Sequence, residues 1–195
     1  MALTVTEKKL MTDAETIAEM AEVDFWNVES VKKIDRKAHL QLAINNMVIG
    51  EVVSRYTLFD DILADLICRH YFPRKRQRYS LWKTEKFRIF VHFVLDEMYL
   101  LKKMETVHAI RPLPGEVRST IQRVNALRNA LAHSFFPENR KEYRKAGKVL
   151  YLEKDIRTPE GLQTFIFDCE PSTSYLARRA YGEWLGVKEG EGKWD

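Results

Sequence analysis

The chain has 195 residues, of which 45% are hydrophobic and 31% are charged. This composition is that of an ordinary globular protein, long enough to bury a core as a single domain. Eight Gly and six Pro are too few for a turn-rich all-β protein, so the composition favours helices. The net charge of +4 permits contact with nucleic acid without requiring it.

The cysteines and the apolar segments bear on cofactors and on location. Cys68 and Cys169 stand far apart and belong to no CxxC or Cys/His ligand spacing. We therefore expect no metal, no other cofactor and a reduced, cytoplasmic setting. The N-terminus lacks an apolar signal core, and the most apolar run, Ile89–Leu101, contains charges and is too short for a membrane span. We expect no membrane contact.

The first half of the chain shows helical periodicity. Residues 5–22 predict an amphipathic helix, or two short ones, with a cap at Thr12 or Asp13. A long helix is predicted from about His39 to His70, ending before Pro73. Its inward-facing stripe consists of Ile44, Val48, Val52, Phe59, Ile62, Leu63 and Leu66.

Two charged residues lie within this long helix. Arg55 falls near the centre of the apolar stripe, and Glu51 lies one turn earlier at its edge. One interpretation is an intrahelical ion pair at the usual i, i+4 spacing. The other is that Glu51 holds a functional arginine from another helix, and the sequence leaves both open.

A basic segment, residues 69–88, follows the long helix. Cations and aromatic residues alternate in it, a combination that suits phosphate contact and base stacking, although loop charges are more often solvated surface. Its cations are Arg69, Arg74, Lys75, Arg76, Arg78, Lys83, Lys86 and Arg88, and its aromatic residues include Tyr71, Phe72, Tyr79 and Trp82. Arg74, Arg76 and Arg78 are therefore candidates for binding substrate.

The next predicted helix, Leu81–Val107, is apolar nearly all round at Phe87–Leu101 and is expected to be buried at the centre of the fold. Within it, His92 and Asp96 are four residues apart. We interpret them as a core histidine satisfied by its neighbour rather than as a catalytic pair.

The helix that follows, from about Glu116 to Phe136, carries the most informative pattern. After a turn at Pro112–Gly115, its apolar residues are spaced by four and three, and Arg128 occupies one position of that stripe. Asn129 shares another face with Gln122, Asn125 and His133. The stripe itself consists of Val117, Ile121, Val124, Leu131 and Phe135. An arginine within an apolar stripe, beside a polar face, indicates a site.

The remaining chain changes in character after Pro137. Lys148–Glu153 and Gln163–Cys169 are rich in β-branched and aromatic residues, and turn-forming residues lie between them, so we predict a β-hairpin. Pro171–Thr173 are predicted to cap a last helix over about 173–186. A single domain over 1–195 would then have core helices at about 39–136, with the hairpin and last helix, about 148–186, as additions.

Arg128, Asn129 and His133 are the residue types that cleavage of RNA without a metal needs. Histidine acts as general base or acid near neutral pH, and arginine binds phosphate oxygens through two N–H groups. An amide can orient either group. In a straight helix, however, Arg128 and His133 lie about 140° apart and about 7.5 Å along the axis. A bent helix, a curled arginine or a cleft shared by two subunits would bring them together.

Arg-Asn-Ala-Leu-Ala-His, residues 128–133, resembles the motif of the HEPN superfamily: Arg, four to six residues and His, with a polar residue after the Arg. The resemblance implies a mainly α fold, a helical bundle of four to five helices, here followed by the hairpin and final helix. It also implies a homodimer with the motifs facing across a cleft, and metal-independent endoribonuclease activity in toxin–antitoxin, antiviral-defence or RNA-processing settings.

For the residues, the resemblance implies that Arg128, Asn129 and His133 are catalytic. Some members carry an acidic residue near the arginine, for which Glu51 is the candidate; Arg55 and Asn125 are further candidates for substrate binding. The expected partners are RNA and an antitoxin or regulatory protein. One alternative function is a non-catalytic HEPN-like module that binds nucleotide, RNA or protein, and another is a helical interaction or regulatory protein that acts through the hairpin and the Trp184 helix. For Arg128 and His133 themselves, the purely structural alternative is an interhelical salt bridge and a surface histidine.

Overall fold

A computed structural model describes residues 4–20, 36–72, 82–132 and 148–185. These residues are mainly helical with one small antiparallel sheet, which confirms the mainly α class. In chain order the elements are α1 (Val5–Met20), α2 (Arg36–Tyr71), α3 (Glu85–Phe90), a π-helical turn (Val91–Leu95), α4 (Leu100–Ile110), α5 (Gly115–Ala132), β1 (Leu150–Tyr151), β2 (Lys154–Asp155) and α6 (Pro159–Leu185). Across these described ranges, no helix combines the length and the apolar character that crossing a membrane requires.

The chain divides into two compact units. The first comprises Met1–Ser54 and Ala126–Asp168, and the second comprises Arg55–Asn125 and Cys169–Asp195. Each unit therefore combines segments distant in sequence, and each has its own buried apolar residues. The predicted end of α5 near Phe136 lies outside the described residues.

Helix α1 belongs to the first unit and begins with a capping box. Thr4 Oγ1 accepts a hydrogen bond from the Glu7 backbone N–H at 3.3 Å, and the Glu7 carboxylate accepts bonds from the Thr4 N–H and hydroxyl at 2.7 and 2.8 Å. The predicted cap at Thr12 or Asp13 is wrong, because both residues lie inside the helix. There the Thr12 hydroxyl donates to the Lys8 carbonyl at 3.2 Å.

The long helix predicted over residues 39–70 is confirmed as α2. It ends at Tyr71, shortly before Pro73, which disfavours helical backbone in the residue before it. Of the predicted stripe, Leu66 is half-buried, and the buried members are Ile44, Val48, Val52, Phe59, Ile62 and Leu63. Helical periodicity therefore identified six buried positions of this helix but missed others, among them Leu40, Ile67 and Cys68.

In the first unit, β1 and β2 pair around a two-residue loop. Leu152 and Glu153 form the loop with φ angles of 45° and 68°, the positive values of a type I′ turn. Tyr151 connects this hairpin to α6: its ring lies 5.2 Å from that of Phe165, edge to face, and its hydroxyl donates to Asp168 at 2.5 Å. The hairpin is thus held against the first part of α6.

The prediction that residues 163–169 form the second strand of a longer hairpin is wrong, because they belong to α6. The presumed turn is a helix start: Thr158 Oγ1 accepts the N–H of Gly161 at 3.1 Å, and Pro159 takes the first helical position, where its missing N–H costs nothing. Phe167 is 60% exposed, whereas the buried positions follow helical spacing at Leu162, Phe165 and Cys169.

Gly161 permits the close approach of the hairpin to this helix start. A Cβ atom at this position would lie 2.0 Å from the carbonyl oxygen of Asp155, a distance that no side chain can occupy. The Thr158 hydroxyl also donates to that carbonyl, at 2.8 Å. The hairpin and the start of α6 therefore form one closely joined turn.

The prediction of a separate last helix capped by Pro171–Thr173 is also wrong. α6 runs from Pro159 to Leu185 with Pro171 inside it. Proline removes one backbone hydrogen bond from a helix, but the buried residues beyond Pro171 keep the spacing of a helix. The buried residues after Pro171 are Ser172, Tyr175, Leu176 and Ala180.

In the second unit, the helix predicted over Leu81–Val107 is not continuous, and this stretch is buried on one face only, not nearly all round. α3 passes into the π-helical turn, and the chain leaves helical structure at residues 96–99 before α4 begins. Phe87, Val91 and Leu95 are buried at a spacing of four residues. Several other large apolar residues of this stretch are exposed, among them Ile89 by 51%, Phe93 by 68%, Val94 by 39% and Tyr99 by 66%.

The contact between His92 and Asp96 is present, but the interpretation as a core pair is wrong. His92 Nδ1 lies 4.0 Å from the Asp96 carboxylate, and the two side chains are 74% and 61% exposed. This part of the chain buries only one face, so residues on the other faces meet solvent. The pair is a surface contact.

Polar contacts join α2 to α4 and α6 within the second unit. Lys103 Nζ lies 2.6 Å from the Asp60 carboxylate, and its side chain is only 8% exposed. The Tyr181 hydroxyl donates to Asp65 at 2.5 Å, and the Arg69 guanidinium lies 5.4 Å from the centre of the Tyr181 ring. The buried ammonium group of Lys103 thus has the compensating charge of Asp60 directly beside it.

Candidate functional site

Helix α5 carries the candidate catalytic residues Arg128 and Asn129, and its start is well defined. The Arg118 backbone N–H donates to the Pro114 carbonyl at 3.1 Å, which closes the first turn, and Glu116 lies at the positive end of the helix dipole. Before the turn, the Leu113 N–H donates to His108 Nδ1 at 2.9 Å. The predicted helix start is therefore confirmed, and Pro112–Pro114 form a non-helical connection before it, while Gly115 already belongs to the helix.

The apolar stripe of α5 is confirmed as far as the described residues extend. Its buried members are Val117, Ile121, Val124 and Leu131, while Phe135 lies beyond the described residues. Leu127 and Ala130 are also buried, at 5% exposure each. The buried face therefore extends from the predicted stripe toward Leu127. Arg128 is half-buried as a result and lies at the border of this face.

Arg128 and Asn129 are brought together by their side chains. Arg128 Nη1 donates a hydrogen bond to Asn129 Oδ1 at 3.1 Å, and both residues are half-buried. Neighbouring residues on a helix point about 100° apart, so this bond requires the long arginine side chain to turn toward the asparagine. The contact uses the acceptor of the amide and leaves its NH₂ group as a donor.

The structure describes three of the other predicted residues. Glu51 lies on α2 in the first unit, and Arg55 on α2 and Asn125 on α5 lie in the second unit. All three are half-buried. The remaining predicted site residues, His133, Arg74, Arg76 and Arg78, lie outside the described residues.

An aromatic cluster in the second unit was only partly visible in the sequence. Its members, His70, Tyr71, Phe72, Trp82, Phe87 and Phe90, connect the end of α2 with the start of α3. The sequence indicated the aromatic residues of the basic segment but predicted Phe87 and Phe90 to lie in a central helix. The spacing that could have revealed them is Phe87 and Phe90, three residues apart on one face of α3.

Neither a metal-ligand cluster among the described residues nor similarity to a known protein helps to assign a function. Within the four described ranges, no three His, Cys, Asp or Glu side chains are grouped so that they could hold a metal ion. Comparison of the chain with protein-family models, curated proteins and solved structures finds no significant match. The functional assignment therefore depends on the residues of the chain itself.

Proposed function

We propose that this protein is a metal-independent endoribonuclease of HEPN type, with a site built around Arg128, Asn129 and His133. The observation that carries the proposal is the hydrogen bond between Arg128 Nη1 and Asn129 Oδ1, 3.1 Å long, on the last described turn of α5. It supports the proposal because a phosphate-binding arginine is most effective when its orientation is held before the substrate arrives.

The direction in which Arg128 turns also supports the proposal. Arg128 and His133 are five residues apart, a spacing that would place them on different helical faces. Asn129 and His133 are four residues apart, a spacing that helices use for residues on one face. Because it bonds to Asn129, the Arg128 guanidinium points away from the buried stripe and toward the side of α5 that the motif assigns to His133.

The proposed reaction is a transesterification. The 2′-oxygen of the ribose attacks the adjacent phosphorus, the bond from phosphorus to the 5′-oxygen breaks, and the products carry 2′,3′-cyclic phosphate and 5′-hydroxyl ends. His133 removes the proton from the 2′-hydroxyl or gives one to the leaving 5′-oxygen. Arg128 binds the non-bridging oxygens, where negative charge increases, and Asn129 orients it.

A chain that supplies one such histidine carries out one of the two proton transfers. A homodimer would supply the second from its partner subunit, across a shared cleft. An endoribonuclease without sequence restriction would harm its own cell, so a neutralising antitoxin or regulatory protein fits the proposed toxin or phage-defence setting. The single-domain arrangement, with the hairpin and last helix as additions to the helical core, belongs to the same proposal.

The testing experiment is RNA cleavage in excess EDTA with analysis of the product ends. We expect EDTA-resistant cutting that leaves cyclic phosphate. His133→Ala should lower the rate about 10²- to 10⁴-fold, the usual contribution of a general acid or base. Arg128→Ala should lower it about 10²- to 10³-fold, because it removes fixed charge from the transition state. Folding is checked by circular dichroism.

Arg118→Ala is the matched control for Arg128→Ala. Arg118 lies on the same helix, but its guanidinium pairs with Glu105 at 3.1 Å, so its loss should leave the cleavage rate unchanged. Cutting by folded His133→Ala and Arg128→Ala at the rate of the parent would contradict the proposal.

The second candidate is a non-catalytic HEPN-like module that binds nucleotide, RNA or a protein partner through the same residues. The oriented, half-buried guanidinium of Arg128 also favours it, because binding a phosphate needs no acid or base. RNA binding that survives His133→Ala but not Arg128→Ala, in a protein that cuts no RNA, would select this candidate.

A further inference from the structure

The aromatic cluster forms a continuous series of ring contacts at the surface of the second unit. Trp82 contacts Phe87 at 5.3 Å between ring centres, and Phe87 contacts Phe72 at 5.2 Å. Phe72 contacts Phe90 at 5.2 Å, and Phe90 contacts Tyr71 at 5.5 Å. The series therefore joins Trp82, just before α3, to Tyr71 at the end of α2.

Burial is unequal along this series. Phe87, in the middle, is fully buried, whereas Tyr71 and Trp82 at the two ends are 56% and 45% exposed. Of the two exposed rings, Trp82 contacts the buried Phe87, and Tyr71 contacts the half-buried Phe90. Large aromatic surfaces that remain in contact with water in this way are usually binding sites.

The charge around the exposed rings is mostly positive. Lys83, Lys86 and Arg88 are exposed and lie within six residues of Trp82 along the chain, and the exposed acid among them is Glu85. Lys86 is one helical turn before Phe90, so it lies on the same face of α3 as a member of the ring series. Exposed rings beside exposed cations complement a ligand with planar groups and negative charge.

We infer that this aromatic surface binds single-stranded RNA, with bases stacked on Tyr71 and Trp82 and phosphates bound by Lys83 and Lys86. A single strand is required because only unpaired bases offer their faces to an aromatic ring. The choice of RNA over DNA rests on the proposed function. Residues 73–81 lie outside the described residues and are not part of this surface.

The same surface would give the proposed enzyme its substrate preference. An RNA held by stacking on the second unit is held through unpaired bases, so loops and single strands would be cut and paired stems spared. Stacking tolerates every base, and phosphate contact is independent of sequence, so the surface would select for strandedness and not for sequence.

The test measures binding of a fluorescent 12-nucleotide RNA with 2′-O-methyl groups, which lacks the attacking hydroxyl and cannot be cleaved. We expect Trp82→Ala and Tyr71→Ala each to raise Kd at least about fivefold, the lower range for loss of one stacked base. Lys83→Ala with Lys86→Ala should raise Kd and lower the salt dependence, the slope of log Kd against log salt, by about 1.4 for two lost phosphate contacts.

Phe167→Ala and Lys37→Ala are the matched controls. Phe167 is 60% exposed but is followed by Asp168, and Lys37 is an exposed cation in the first unit, so neither should change Kd. The uncleavable RNA separates the two proposals, because binding at this surface is measured whether or not the protein cuts RNA.

Four results would overturn the inference. The first three are no affinity of the parent for the oligonucleotide, binding like the parent by folded Trp82→Ala and Tyr71→Ala, and equally good binding of a duplex of the same sequence. A parent that self-associates through Trp82 while its RNA binding is unaffected by Trp82→Ala would show a protein-contact surface instead, and it too would overturn the inference.

Discussion

Helix α5 and the segment 82–99 both lie largely in the second unit and both contain many apolar residues, yet they differ in what they bury. In α5 the apolar residues form one stripe, and Val117, Ile121 and Val124 are each fully buried. In the segment 82–99 apolar residues occupy all faces of the chain, but the buried ones, Phe87, Val91 and Leu95, lie on a single face.

The difference shows that spacing predicts burial better than apolar content does. A helix in contact with neighbours on one side can bury only one stripe, whatever residues occupy its other faces. The residues left over in the segment 82–99, above all Phe93 and Tyr99, remain 68% and 66% exposed. An apolar run without a polar face is therefore not by itself a buried helix, and large exposed apolar residues indicate contact with another molecule.

The largest expected effect tests the buried side of this comparison. Ile121→Ala should lower the free energy of unfolding by about 2–5 kcal/mol, because Ile121 is fully buried and alanine leaves a cavity. Denaturant unfolding followed by circular dichroism measures it. A loss below about 1 kcal/mol would mean that the α5 stripe is not tightly enclosed.

An intermediate effect is expected where a charge occupies a buried stripe. Lys103→Met should cost about 2–3 kcal/mol, since it leaves the Asp60 carboxylate, 2.6 Å away, without its cation, while partial exposure of Asp60 to water offsets some of the loss. Adding Asp60→Asn should recover much of this stability in the same unfolding measurement. A double variant as unstable as Lys103→Met alone would show that the lysine contributes through packing and not through its charge.

The smallest expected effect tests the exposed side. Phe93→Ser should change the free energy of unfolding by no more than about 0.5 kcal/mol, as expected for an exposed position, although sequence alone predicts a core residue there. A loss comparable to that of Ile121→Ala would contradict the exposure of Phe93 and remove the contrast between the two regions.

The sequence predicted the helices with a single apolar stripe well. α2 and α5 were placed to within a few residues where they are described, because a 3.6-residue period in the chain is the period of the helix itself. It was less successful where the signal was composition. Residues 163–169 are rich in Phe and Ile, which favour strands, yet the cap at Thr158 and the buried spacing through Leu162 and Phe165 make them helical.

For the candidate site, the sequence identified Arg128 and Asn129 through their spacing, and it could not say where the arginine points. Arginine has several rotatable bonds, and its direction depends on which acceptor lies nearby. The bond to Asn129 Oδ1, and the passage of the buried face through Leu127 beside Arg128, are features of the folded chain.

By itself, the sequence determined that the protein is mainly helical, where α2 and α5 run, and which residues are candidates for chemistry. The tertiary structure decided that Lys103 is buried against Asp60, that Phe93 is exposed, and that Tyr71 and Trp82 belong to one series of rings. The physical reason is how far apart in the sequence the interacting residues lie. Helical periodicity is set by residues three and four apart, whereas burial and pairing depend on neighbours that folding brings together from distant parts of the chain.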